Sequence, residues 1–390
     1  MSTTLWRPPI LHSKHAETFG SERKVTWLEL FYDLVYVATL IQLGNSLSED
    51  ISWPGLLRFA ALFIPIWWSW TGITFYFNRF VVDDIWHRLL IFSQMFFVVI
   101  LGISVEGAFT TLTTQFVLSY VGIRVVLILL YLRASRHEPD ARPLIYRFMA
   151  GFSLAALVWF ISIFFPTPFN YVLWVLAMVI DFATPTNPNS AKFYNLLPPH
   201  HEHMQERYGL LVIIVLGESF VKTLSSGSGL AVTMPILFFS IFGLILTYSL
   251  WWHYFQDIID AEIRPSRIFA WIYIHLPLTL SLVAFGVASK KLFLAAPGGT
   301  VDDKYRLLMG FTVALYLICI AILNWSSERH GETNHRARVI YRLAAAAGVI
   351  LVAVVEANMP PILFVALVGL IVIIPIAIDV SHSRRLALNE

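Results

Sequence analysis

The sequence holds one cysteine, Cys319, so neither an intrachain disulfide nor a cysteine-based metal cluster is expected. Charge is scarce as well. Charged residues make up 13% of the 390-residue chain, where a soluble domain averages about 25%, and the deficit points to a membrane. A formal net charge of +2 is too small to argue for nucleic acid, and the basic residues lie beside apolar runs instead of gathering in one patch. Residues 1–24 contain Arg7, Lys14, Arg23 and Lys24 but lack the apolar core of a cleaved signal peptide, so the first span is expected to direct insertion. The chain shows no phosphate-binding glycine loop, no serine–histidine–acid order and no paired zinc motif. It also has no soluble segment large enough to house an enzyme, so neither an enzyme nor a cofactor is expected.

What is present is apolar: 57% of residues are hydrophobic and the mean hydropathy is +0.70. A spanning helix takes about 20 mostly apolar residues. Twelve stretches qualify, at approximately 25–44, 53–79, 86–108, 112–133, 143–164, 169–182, 205–224, 231–256, 267–290, 305–325, 336–357 and 360–380. The expected fold is an all-α integral membrane protein of about twelve transmembrane helices, with both ends of the chain on one side. Arg79, Arg88, Arg133, Arg136, Arg142, Arg264, Arg267, Arg329, Arg336 and Arg338 carry or adjoin the connections after spans two, four, eight and ten. The connections after spans one, three, five and eleven carry no Lys or Arg. The positive-inside rule therefore puts both termini in the cytoplasm. One connection dissents: Lys290, Lys291 and Lys304, around the loop after span nine, fall outside.

The chain also repeats. Residues 29–48 align without a gap on 206–225, Ile145-Tyr146-Arg147 matches Ile340-Tyr341-Arg342, Arg136-His137 matches Arg329-His330, and Asp181 matches Asp379. The order of these matches predicts two parallel six-helix repeats, 25–182 and 205–380. A Pro/Asn-rich linker at 183–204 would join them, with tails at 1–24 and 381–390.

Three stretches resemble the bacterial low temperature requirement A family: RKVTWLELFYDLVYVATLIQL at 23–43, FYFNRFVVDDIWHRLL at 75–90 and HMQERYGLLVIIVLGES at 203–219. The resemblance covers nearly the whole chain. It implies a polytopic membrane protein of the bacterial inner membrane, tied to growth in the cold, and brings no established activity. The six-plus-six plan is also similar in architecture to the endolysosomal potassium channels, whose first helix in each repeat lines the pore with an aromatic-Ser-Asp motif. Phe31-Tyr32-Asp33 matches that motif loosely, and the second repeat has Tyr208-Gly209-Leu210 with no acid.

The residues that could carry chemistry begin with Glu29 and Asp33. Four apart, they share one side of the first span, and Tyr36 continues that side. An ionised acid at the centre of a spanning helix costs roughly 2.5–3.5 kcal/mol, so this face is expected to look onto protein or water. Asp33 should lie roughly 12 Å inside the cytoplasmic end at a rise of about 1.5 Å per residue. Arg124, at matching depth on an antiparallel span, is the expected partner of Asp33 or Glu29. In span seven, Glu218 follows Gly217, with Ser219 and Lys222 beside it. Glu29, Asp33, Tyr36, Glu218, Ser219 and Arg124 then form a polar core, read either as an ion path or as a static interface.

Asn78, Arg79, Asp83, Asp84, His87 and Arg88 crowd the connection between spans two and three, with Asp257, Asp260, Glu262 and Arg264 corresponding in the second repeat. They read as a cytoplasmic vestibule or, more blandly, as loop charges that neutralise one another. His203, Glu206 and Arg207 open the second repeat. A zinc site there lacks a fixed signature, and helix capping with headgroup contact is the simpler expectation. Arg147 and Arg342 are expected to snorkel. His253 and His275 could flank a haem only if the spans showed further haem features, which they do not.

Two functions lead, and a third, an intramembrane enzyme acting on lipid, would need a hydrated cavity where His and acid converge. The first is conduction or transport of a small cation (K⁺, Na⁺ or H⁺) along a path lined by the first helix of each repeat. The second is a non-transporting protein for cold or stress adaptation, acting through lipid or partner contacts. The bilayer is the expected partner in both, and either permits a homo-oligomer.

Overall fold

A computed structural model describes residues 6–11, 24–186, 199–227, 229, 231–258, 261–296, 302–328, 335–355 and 359–387. Among them are twelve long helices, each at a predicted span. They are α1 (Trp27–Glu49), α2 (Trp53–Arg79), α3 (Ile85–Ile103), α4 (Thr113–His137), α5 (Arg142–Ser162) and α6 (Phe169–Thr186), then α7 (His201–Ser226), α8 (Met234–Ile258), α9 (Ile268–Ala295), α10 (Asp303–Ser326), α11 (His335–Val355) and α12 (Pro361–Ala387). Eleven are long and apolar enough to cross a membrane. The exception is α1, whose apolar run is diluted by Glu29, Asp33, Gln42 and Asn45. Its 23 residues still extend about 35 Å, enough for a hydrocarbon core of about 30 Å. Trp27, just inside its start, is 87% exposed, as suits an aromatic at the membrane–water boundary.

Two short strand pairs complete the architecture. In the first, β1 (Trp6–Leu11) runs antiparallel to β2 (Phe80–Asp84), with Trp6 opposite Asp84 and Leu11 opposite Phe80. The leading segment is thus pinned to the α2–α3 connection, and Leu11 N also donates to Glu138 at 3.1 Å. In the second, β3 (Glu262–Ile263) pairs with β4 (Ser327–Glu328). Glu262 and Glu328 face each other there, and Arg264 bonds Glu328 at 2.6 Å to offset the repulsion. Neither pair was foreseen, because two to six residues of strand carry too little periodicity to stand out beside polar loops.

The chain divides into two compact units, residues 1–46 with 61–207 and residues 47–60 with 208–390. In the first, α3, α4, α5 and α6 pack in succession, around a core that includes Trp67, Trp68, Trp70 and Trp159. In the second, α9, α10, α11 and α12 pack in succession and α8 lies on α12. Residues 187–198 of the expected linker lie outside the described residues.

Without a hydrophobic drive between helices in lipid, association rests on close packing, and small residues let backbones approach. Gly310 on α10 shows the tolerance. A Cβ there would meet Ala353 Cβ of α11 at 2.3 Å, with no flexible side chain to yield. Gly310→Leu is expected to lower stability by about 1–3 kcal/mol, the usual cost of overpacking, read as a lower melting temperature in detergent.

Candidate functional site

The first helix carries Glu29 and Asp33 at helical spacing, and the start of α7 carries His203 and Arg207 at the same spacing. The two pairs meet like rungs. His203 Nε2 lies 3.1 Å from Glu29 Oε2, Arg207 donates to Glu29 Oε2 at 3.0 Å, and it reaches Asp33 Oδ1 at 2.7 Å with its second terminal nitrogen. Trp70 Nε1 of α2 donates to the same Asp33 oxygen at 2.8 Å, and the Thr26 hydroxyl donates to Glu29 Oε1 at 3.1 Å. The guanidinium of Arg207 also lies over the rings of Phe77 and Trp70, at 5.2 and 5.6 Å. All four charged or titratable side chains are buried. Arg207 thus neutralises one acid and shares the other with His203, which is how carboxylates persist in an apolar interior.

The expected pairing of Arg124 with Asp33 or Glu29 does not occur. Arg124 bonds Asp181 of α6 at 3.0 Å, with both side chains fully buried, and donates to the Tyr120 hydroxyl at 2.7 Å. Tyr120 in turn donates to Asp181 Oδ2 at 2.8 Å. Depth matched Arg124 to Asp33, but rotation about the α4 axis aims it elsewhere. Its guanidinium fits where Gly72 leaves room, since a Cβ at that position would sit 2.9 Å from Arg124 Nη1. Tyr32 stands within electrostatic reach of Asp33, Arg207 and Arg124, but its buried hydroxyl makes no hydrogen bond to either cluster among the described residues. Tyr36 leaves the charged face and donates to the Ile66 carbonyl at 2.7 Å.

Arg207 departs from the expected headgroup contact: it is fully buried, as is His203. Glu206, between them, is the exposed one, and accepts from Val25 N at 3.2 Å. Among the described residues no three His, Cys, Asp or Glu side chains converge as metal ligands. Arg342 does not snorkel either. It is buried and bonds Asp379 at 2.8 Å, whereas Arg147 is exposed.

The connection between α2 and α3 sorts into two groups. Asp83 and Arg88 are exposed and pair at 2.7 Å. Asn78, Arg79, Asp84 and His87 are buried. Asp84 caps α3 by accepting from His87 N at 2.8 Å and pairs with Arg133. Asn78 clamps His200 through both of its backbone groups, at 2.8 and 2.9 Å, and so fixes the start of α7 that presents His203. Arg79 lies over Phe75 and Phe148. Asp84 thus ties the α2–α3 connection to α4, and Asn78 ties it to the start of α7.

In the second unit Glu218 is half-buried and close enough to Lys222 to feel its charge. Ser219 donates to the Val215 and Leu282 carbonyls, at 3.0 and 3.2 Å. His253 contacts the Val372 carbonyl at 3.0 Å, and His275 lies between Trp271 O at 2.7 Å and the Tyr254 hydroxyl at 2.9 Å. Each ring is held by protein. Asp257 and Asp260 have side chains outside the described residues.

Residues 24–373 match the family described as bacterial low temperature requirement A protein (LtrA). An uncharacterized protein of Rhizobium meliloti (strain 1021) is 32% identical over 246 residues, which cover 60% of this chain and 59% of that relative. The aligned part thus spans less than two thirds of the relative's length.

Proposed function

The chain belongs to the bacterial low temperature requirement A family, and from that premise we propose that it is a membrane protein that binds and relays a proton among Glu29, Asp33 and His203, with Arg207 as the fixed charge that holds the two acids in place. The observation that carries the reading is the buried contact of His203 Nε2 with Glu29 Oε2, 3.1 Å apart, with Arg207 bridging both acids. Of the three cations the first-helix acids could serve, the proton fits this arrangement best. K⁺ or Na⁺ would need several oxygens to replace its hydration shell and would be repelled by the fixed charge of Arg207. A proton needs one acceptor. Histidine is the side chain whose ordinary titration lies nearest neutrality, and an intramembrane chain of acid and His is the arrangement used in proton relays. The arginines that flank the α2–α3, α4–α5 and α8–α9 connections support cytoplasmic termini.

The test is proton flux into liposomes driven by a pH gradient, with K⁺ and Na⁺ flux measured alongside. Wild-type protein is expected to carry protons above the leak of protein-free liposomes, and Glu29→Gln and His203→Gln to return the rate to that leak while remaining folded. Folded wild-type protein without proton flux overturns the reading. A second reading, action through lipid contacts without transport, is favoured by an apolar groove in the second unit.

A further inference from the structure

Between α7, α8 and α9 of the second unit lies a cavity of about 670 Å³, within the range of roughly 300–1,000 Å³ that small-molecule sites occupy. Its walls are mainly apolar, with Phe220, Leu224, Leu237, Phe239, Leu244 and Phe293 prominent. The hydroxyls that reach it are engaged locally. Ser219, Ser240 and Thr247 donate to backbone carbonyls of their own helices, and Thr223 bonds Ser289 at 3.2 Å. The occupant such walls favour is a hydrocarbon. Along α8 the lining runs from Ile236 to Thr247, about 16 Å at the helical rise, close to the half-thickness of a bilayer core of about 30 Å. That is the length of one acyl chain in one leaflet.

Two lysines adjoin lining residues in sequence without themselves lining the groove. Lys222 sits one turn before the end of α7, and Lys290 follows the lining residue Ser289. Lys222 is close enough to Lys290 and to Glu218 to feel both charges. Lys291 stands in the same relation to Lys290, Lys304 and Glu49, and Lys304 is paired with Asp302 at 2.9 Å. These include the lysines around the α9–α10 connection that contradict the positive-inside pattern of the rest of the chain. Topology gives no reason for them at this end of the helices. A ligand with a negative head does. We propose that the groove binds an anionic phospholipid, one acyl chain lying along α8 and the phosphate held by Lys222 and Lys290. The site is independent of the proton ladder in the first unit.

The probe is full-length protein stripped of lipid in detergent and then offered phosphatidylglycerol or phosphatidylcholine, with retained lipid counted by native mass spectrometry. Phosphatidylglycerol is expected to be retained preferentially. Lys222→Gln with Lys290→Gln should reduce that preference by about fivefold for each lysine removed. Gly243→Leu projects a side chain into the groove from a position where a Cβ meets only Phe239, at 3.8 Å. It should reduce retention of both lipids without lowering the melting temperature. Equal retention of the two lipids by the wild type, or retention unchanged in the lysine variant or in Gly243→Leu, overturns the proposal.

Discussion

Replacing Arg207 by leucine is expected to be the most damaging single change in the first unit. The variant leaves Glu29 and Asp33 buried four residues apart on one helix, with Trp70, Thr26 and His203 as remaining partners but no guanidinium between them. Removing one member of a buried ion pair costs about 3–5 kcal/mol, because the charge left behind has lost its compensation. Here one arginine serves two acids, so the upper part of that range applies. Thermal melting in detergent should show the loss, and Asp33→Asn added to Arg207→Leu should recover part of it by removing one stranded charge. Arg207→Lys should fall between wild type and leucine. A lysine ammonium supplies charge but cannot reach two carboxylates with separate, fixed nitrogens as a guanidinium does. Melting of Arg207→Leu within 1–2 °C of wild type would show that the ladder is not a stabilising contact.

How far this arrangement could be read from sequence depends on which physical signal is asked. Hydropathy over about 20 residues is strong, and it located all twelve helices, including the short α6 and the diluted α1. The acids of α1 stood out because charge inside a span is expensive. Their partner did not, because Arg207 lies in the first turns of α7, just after a polar link, where an arginine ordinarily reaches headgroups. The gapless alignment of 29–48 on 206–225 puts Glu206, which is exposed, in register with Glu29, and gives His203 and Arg207 no counterpart that marks them as its partners. A signal was nevertheless present. His203 and Arg207 repeat the four-residue spacing of Glu29 and Asp33 with the complementary chemistry. For Arg124 the sequence supplies depth along the bilayer normal but not azimuth. Azimuth is what separates Asp181 from Asp33, and it is set by packing such as the room that Gly72 leaves.

The Arg124–Asp181 pair allows a sharper separation of cost from benefit. Both side chains are fully buried, and Tyr120 donates to the acid while accepting from the arginine. Arg124→Leu alone should cost about 3–5 kcal/mol, since Asp181 would be left with hydrogen-bond donors but no charge partner. The combined change Arg124→Leu with Asp181→Leu should cost far less than the sum of the two single changes. Each ion had to leave water to reach this position, and a matched apolar pair does not bear that cost; replacing buried pairs by hydrophobic groups is often neutral or stabilising. The measurement is a double-mutant cycle on melting in detergent, run in parallel with proton flux. If Tyr32 couples this pair electrostatically to Asp33 and Arg207, the double variant stays folded but conducts protons poorly. A stable double variant with wild-type flux would confine the relay to the Glu29–His203 rung and leave Arg124 and Asp181 as a purely architectural pair.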